Sequence, residues 1–154
     1  MKRLILTILL CMFSVISFDA KAQLQTMSVE ESRGYQTVFK IPMGYGEIRY
    51  IKEAYILFGV TDNKYEKSMA SIFLGTSKES AILTLEDLRK IVFRETKLTE
   101  PIVVKGFADS NTTILKNLGE IMFKTSGVSG YSHAFGMLRG SFDKAREAIL
   151  SFPE

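Results

Sequence analysis

The chain has 154 residues, with 20 Lys and Arg against 17 Asp and Glu, one His, one Cys and no Trp, for a formal net charge of +3. A single cysteine excludes an intrachain disulfide framework and a Cys-based metal site. One histidine among scattered acids lacks the spacing of a zinc or calcium ligand set, so no metal and no cofactor is expected.

Met1, Lys2 and Arg3 precede an apolar run from Leu4 to Phe18, interrupted only by Thr7, Ser14 and Ser17, and Ala20-Lys21-Ala22 follows before Gln23. A basic start, a short apolar stretch and a small-x-small site predict a cleavable signal peptide over residues 1–22. The run is about 15 residues, short of the ~20 that a spanning helix needs. An uncleaved anchor is the competing reading, and the Ala-x-Ala site argues against it. Cys11 follows Leu9-Leu10 in the middle of the run, which departs from a lipoprotein signal. The expected location is outside the cytoplasm, periplasmic or secreted, with no stable membrane span after cleavage.

Cleavage before Gln23 leaves 132 residues, enough for one domain with a real core. Taking Lys2, Arg3, Lys21 and Asp19 from the total leaves 17 basic and 16 acidic side chains, net +1. So even a balance gives no electrostatic footprint for nucleic acid or anionic lipid. The cysteine-free mature chain and the style of the leader suggest a bacterial envelope protein.

Residues 23–33 are polar and aperiodic and read as a mobile arm; 34–154 read as one domain. Tyr35, Thr37, Phe39 and Ile41 alternate as in a strand, although Val38 breaks the polarity, and Pro42 with Gly44-Tyr45-Gly46 ends it. Ile48 to Val60 reads as one broken strand or two, apolar on both faces in its second part and therefore central. Thr61-Asp62-Asn63-Lys64 supplies turn chemistry, and Met69 to Leu74 is the returning strand. Thr76 and Glu79 form a Thr-x-x-Glu capping box. Ala81, Ile82, Leu85, Leu88, Ile91 and Val92 then recur at helical spacing and predict a helix over roughly 77–95. Pro101 closes the exit loop, and Ile102 to Ala108 is a further strand.

Residues 112–125 fit either a helix or a hairpin. Gly119 and the β-branched Thr112-Thr113-Ile114 favour the hairpin, with Glu120 to Thr125 returning. Ser132 to Leu138 reads as a last strand, and Ser141 as the N-cap of a second helix that Pro153 ends. The expected fold is α+β, an antiparallel-rich sheet with two helices packed on one face.

Three candidate sites emerge. Ser132 and His133 lie in Gly130-Tyr131-Ser132-His133-Ala134, one residue short of the Gly-x-Ser-x-Gly elbow of hydrolases. The plain reading is a polar strand edge. Gly75, Thr76 and Ser77 sit where a strand meets a helix N-terminus, a place that attracts phosphate. No P-loop spacing accompanies them, and an ordinary strand-to-helix turn is the favoured reading. Tyr50 and Tyr55, with Tyr35, Tyr45 and Tyr65, would form a binding surface if they shared a face; half-buried strand tyrosines are the competing reading. The carboxylate pairs Glu30-Glu31 and Glu86-Asp87 read as solvated charges.

The function these features favour is an exported, non-catalytic binding or accessory protein of the bacterial envelope, whose partner is another envelope or secreted protein. The alternatives are a small hydrolase using Ser132 and His133, and a carrier with an apolar cavity between sheet and helices.

Overall fold

The seven residues Ala54 to Val60 carry no charge, and a strand of that kind needs cover on both faces and neighbours on both edges. The computed structural model, which describes residues 34–64, 68–95, 97–133 and 140–154, gives it both. Strand β3 (Ala54–Val60) lies between β2 (Gly46–Ile51) and β4 (Met69–Gly75), and β1 (Gln36–Ile41) flanks β2. The four form an antiparallel meander. Helix α1 (Lys78–Val92) follows, then a second antiparallel meander of β5 (Ile102–Lys105), β6 (Asn111–Asn117) and β7 (Glu120–Thr125), and finally α2 (Phe142–Ser151). The α+β architecture expected from the sequence is the one found, with its strands divided between two sheets. No helix of the described residues is long and apolar enough to cross a membrane. The expected leader, the arm over 23–33, Tyr65 and residues 134–138 of the last expected strand lie outside the described residues.

The main core forms where one face of the first sheet meets both helices. Ile48, Tyr55, Leu57, Ile72 and Leu74 are buried there against Ala81, Leu85 and Leu88 of α1 and Phe142, Ala145 and Ile149 of α2. Ile114 and Phe123 bring the second sheet into the same cluster. Each large aliphatic buried here contributes about 1.5–3 kcal/mol relative to exposure. The odd and even positions of β3 separate cleanly: Ala54, Ile56 and Phe58 form a second, smaller cluster on the opposite face.

A ring of hydroxyls explains why the strands divide into two sheets. At the middle of β4, Ser71 pairs with Phe58 of β3, yet its N–H and C=O point the other way, to the open edge. The N–H donates to Thr125 Oγ1 at 3.0 Å, and the carbonyl accepts from Thr112 Oγ1 at 2.5 Å. Thr112 and Thr125 are cross-strand partners in β6 and β7, and their hydroxyls lie 2.6 Å apart. Each hydroxyl has one proton. Since Thr112 donates to Ser71, Thr125 donates to Thr112, and the three bonds close a cycle. Ser71 Oγ also accepts from the Phe107 N–H at 2.9 Å. Side chains thus take the place of a fifth strand, and an edge that would otherwise recruit one is satisfied.

Local departures from the sequence reading have local causes. The cap of α1 is Ser77, not Thr76: Ser77 Oγ accepts from the Ser80 N–H, and Ser80 Oγ accepts from the Ser77 N–H. Ser80 therefore fills the role assigned to Glu79. The break at Val38 is a β-bulge between Thr37 and Phe39, which lets Val38 and Phe39 both pack on the core. Ile48 to Val60 is two strands, joined through Lys52 and Glu53 at φ of 47° and 59°. The hairpin reading of 112–125 holds, with Leu118 and Gly119 both at positive φ, as a type I′ turn requires. β5 stops at Lys105 because Ala108 and Asp109 turn the chain at positive φ. Ser141 precedes α2 as expected but makes no side-chain cap; its carbonyl accepts from Ala145 N–H at 2.9 Å.

Two predictions follow from these contacts. Thr112→Val keeps the shape but strands the Ser71 carbonyl and the Thr125 hydroxyl in a buried site, and should cost about 1–3 kcal/mol in urea unfolding. An equal stability would mean the ring is dispensable. The second concerns Tyr55, fully buried, with its O–H donating to Glu154 Oε1 at 2.9 Å. Burial first, then the Glu154 carboxylate, push its pKa well above the ordinary value of 10.0. A raised folded pKa means that this contribution is complete below about pH 10 and is lost as the pH climbs beyond it. Urea midpoints measured from pH 8 to 11.5 should fall above pH 10, and Tyr55→Phe should flatten that limb.

Candidate functional site

Ser132 and His133 are adjacent in the chain but serve different neighbours. Ser132 exchanges both backbone bonds with Phe123 of β7, at 2.9 and 3.1 Å, and also bridges to Thr61 at the end of β3. Its side chain is buried, and its hydroxyl donates to the Val60 carbonyl at 3.0 Å. A nucleophilic serine needs its proton on a base and its oxygen facing substrate; here the proton sits on a backbone carbonyl. The His133 ring is half exposed, with Nδ1 3.4 Å from Glu120 Oε2 and Nε2 3.8 Å from Asp62 Oδ2. The carboxylates flank opposite ring nitrogens, so one ion cannot use all three groups. Among the described residues there is no cluster of three or more metal-ligating side chains. The segment is a seam between sheets: Asp62 N–H donates to Tyr131 O, and Tyr131 N–H donates to Asp62 Oδ1, both at 2.8 Å.

The N-terminus of α1 is occupied by its own residues. Gly75 adopts φ of +154°, and a Cβ there would meet Ser80 Oγ at 2.1 Å, so the glycine makes room for the cap. Glu79 stands in the first turn. Its own backbone N–H and then the Ser77 hydroxyl hold its carboxyl below the ordinary value of 4.5. Lys78 reaches away to the Leu150 carbonyl at 3.2 Å. Thr76 is exposed and takes no part in the cap.

Three of the tyrosines share a face of the first sheet, but it is the face packed on the helices. The Tyr50 and Tyr55 rings meet tilted by 59°, 5.0 Å between centroids, and Phe152 packs on both, at 5.3 and 6.1 Å. This trio belongs to the helix side of the first sheet, where Tyr45 also packs. Of the four described tyrosines in that group, Tyr45, Tyr50 and Tyr55 pack in or against the core, the half-buried reading, and Tyr35 reaches the opposite face, under an arginine.

That opposite face is the feature the sequence reading missed. Above the buried Ala54, Ile56 and Phe58 lie the half-buried Ile51, Met69, Phe73 and Phe107. Arg49 of β2 points onto them. Its guanidinium lies 4.2 Å from the Tyr35 ring centroid and 4.6 Å from that of Phe58. Glu47 accepts from Arg49 Nε at 2.5 Å and forms an ion pair with Nη2, and Nη2 contacts Met69 Sδ at 3.8 Å. Phe107 meets Phe58 edge-on at 5.7 Å, and Lys105 Nζ stands 4.9 Å from the Phe73 centroid. A cleft of about 160 Å³ runs between Ile51, Phe73, Lys105 and Phe107. A wider notch of about 480 Å³ opens at Met43, Glu47 and Met69 on the rim. The signal for this face was in the sequence as Glu47, Arg49 and Ile51 alternating out of phase with Ile48 and Tyr50, and as Phe73 out of phase with Ile72 and Leu74.

Comparison with protein-family models, with curated proteins and with solved structures finds no match for this chain. The chemistry of the surface therefore stands on its own geometry. Aromatic rings, methionine and a fixed guanidinium are the side chains enriched in the cores of protein–protein interfaces. Ser132→Ala should behave as the loss of one buried hydroxyl contact, lowering unfolding free energy by about 1 kcal/mol. A stability equal to wild type would instead free the hydroxyl for another role.

Proposed function

We propose that the protein is an exported, non-catalytic binding protein of the bacterial envelope, and that the face of its first sheet opposite α1 and α2 is the surface that engages another envelope or secreted protein. The observation that carries this is the locked guanidinium of Arg49 between Tyr35 and Phe58, set in an apolar field of Met69, Phe73 and Phe107. A rigid, amphipathic patch loses little side-chain freedom on binding, which is the main cost that area alone does not cover. Ser132 donates its hydroxyl to the Val60 carbonyl, and side chains of the first sheet pack against both described helices, which supports a binding reading over the hydrolase and carrier alternatives. The leader-like residues 1–22 support export.

The test is comparative capture from the producing cell's envelope and medium, with the wild type beside Phe107→Ala and Lys105→Glu. Lys105 is exposed and Phe107 half-buried, so both variants should unfold within a few degrees of wild type. A stoichiometric protein held by the wild type and lost by both variants is the expected result. A partner retained equally by all three would move the interface elsewhere. N-terminal sequencing of the exported protein, after removal of any pyroglutamate, should begin at Gln23, and retention of Met1 would remove export from the reading.

A further inference from the structure

We infer that a second site, at the junction of α1 with the second sheet, binds a small carboxylate with a short aliphatic body. Ile91 at the end of α1, Leu98 in the following loop and Ile121 of β7 line a cleft of about 140 Å³. Arg94, Lys97 and Lys116 complete its lining, and no acidic side chain is among the lining residues. Three cations around one apolar cleft stand out in a chain whose basic and acidic residues nearly balance. The nearby Glu95 turns to Arg89, 3.5 Å away, and Glu120 turns to His133.

Basic residues near a helix C-terminus ordinarily serve its carbonyls. These do not. The end of α1 is closed by its own backbone: Glu95 N–H donates to Lys90 O at 2.8 Å and Arg94 N–H to Ile91 O at 3.0 Å, the two bonds of a Schellman motif. Arg94 then occupies the position where glycine is the usual residue, at φ of 61°. A side chain in that left-handed conformation is disfavoured. Its guanidinium crosses to the second sheet and donates to Gly119 O at 2.7 Å, which fixes it beside the cleft. Lys97 lies in the loop and Lys116 on β6, both exposed, and among the described residues neither makes a hydrogen bond or ion pair. Two lysines without a partner among the described residues and an anchored arginine thus line one cleft with three aliphatic side chains.

That arrangement selects an anion with an apolar tail. An apolar cavity of about 150 Å³ accommodates a six-carbon ring, so a straight-chain acid of about six carbons matches the space. The charged head would sit among the cations, where it loses only part of its hydration, and the chain would lie against Ile91, Leu98 and Ile121. Inorganic anions lack the tail, and neutral alcohols lack the head. The site shares no residue with the sheet face assigned to a protein partner, so either can fail alone.

The experiment is titration of the ¹⁵N-labelled protein with hexanoate, hexanol and acetate, followed by amide shifts. Hexanoate should saturate, with shifts centred on Arg94, Lys97, Leu98 and Ile121, and should bind more weakly as salt is raised. Lys97→Gln and Lys116→Gln should each raise its Kd about three- to fivefold, the scale of an exposed charge pair. Both residues are exposed, and an unchanged spectrum in the absence of ligand confirms that the variants fold. Shifts that grow linearly without saturating, shifts of equal size with hexanol, or a Kd unmoved by the double variant would each overturn the assignment.

Discussion

The cyclic hydrogen bonding of Ser71, Thr112 and Thr125 is the constraint on which the arrangement of the sheets rests. A four-stranded meander ends in an edge, and that edge must be paired, covered or charged. β4 cannot be charged, because Ala70, Ile72 and Leu74 alternate into the core. It is covered instead, by hydroxyls presented from the second sheet. The solution is directional. Ser71 offers one donor and one acceptor, and two threonines at paired positions on β6 and β7 answer both. The second sheet is thereby fixed at one register along β4, which carries Ile114 and Phe123 into the shared core. The ring and the core reinforce each other, since burial removes water that would compete for the three bonds.

The same device recurs on the far side of the second sheet. Ser132 gives its hydroxyl to Val60 and its backbone to Phe123, and Thr61 Oγ1 lies 2.6 Å from Ser68 Oγ. Serine and threonine in this chain act as backbone substitutes where a ladder would run out. A serine beside the only histidine looks like half of a catalytic pair in one dimension, but strand alternation sends the two side chains to different surroundings. The buried one staples, and the half-exposed one meets carboxylates.

Much of the fold was legible in the sequence because period and punctuation agreed. The α1 stripe of Ala81, Leu85 and Leu88 is what the spacing predicts, and Gly119 marks its turn. The cap of α1 was misread by one residue because Thr76 and Glu79 fit the familiar motif, whereas Ser77 and Ser80 form the shorter, reciprocal pair. The turn at Lys52-Glu53 was illegible for a physical reason: neither residue is a turn former, and the backbone accepts positive φ there because strands β2 and β3 pair all the way to Ile51 and Ala54. The division into two sheets was hidden because Ser71, in an otherwise apolar strand, reads as a tolerated polar position rather than as a terminus. The aromatic face was hidden because its rings, Tyr35, Phe58, Phe73 and Phe107, come from four separate segments that only the fold brings together.

The placement of arginines shows what distinguishes a surface from a site. Arg89 lies on the solvent side of α1 and is satisfied by Glu86 and Glu95 of its own neighbourhood. Arg49 is held by Glu47, Tyr35 and Phe58 at once, so its charge is largely neutralised and its plane is fixed. A group so constrained adds shape and a directed donor array more than net charge, which suits a complementary protein surface. Arg94 is the reverse: among the described residues its guanidinium is anchored by the Gly119 carbonyl and by no carboxylate, with Lys97 and Lys116 lining the same cleft. Neutralised cations over rings and lysines over aliphatics differ in kind, and the two proposals divide along that line. The proposed protein partner would be large and shaped enough to exclude water from the rings. The proposed anion would be small enough to cover the apolar wall with its own tail. The fold keeps them apart, one on the face of the first sheet opposite α1 and α2 and the other where α1 meets the second sheet.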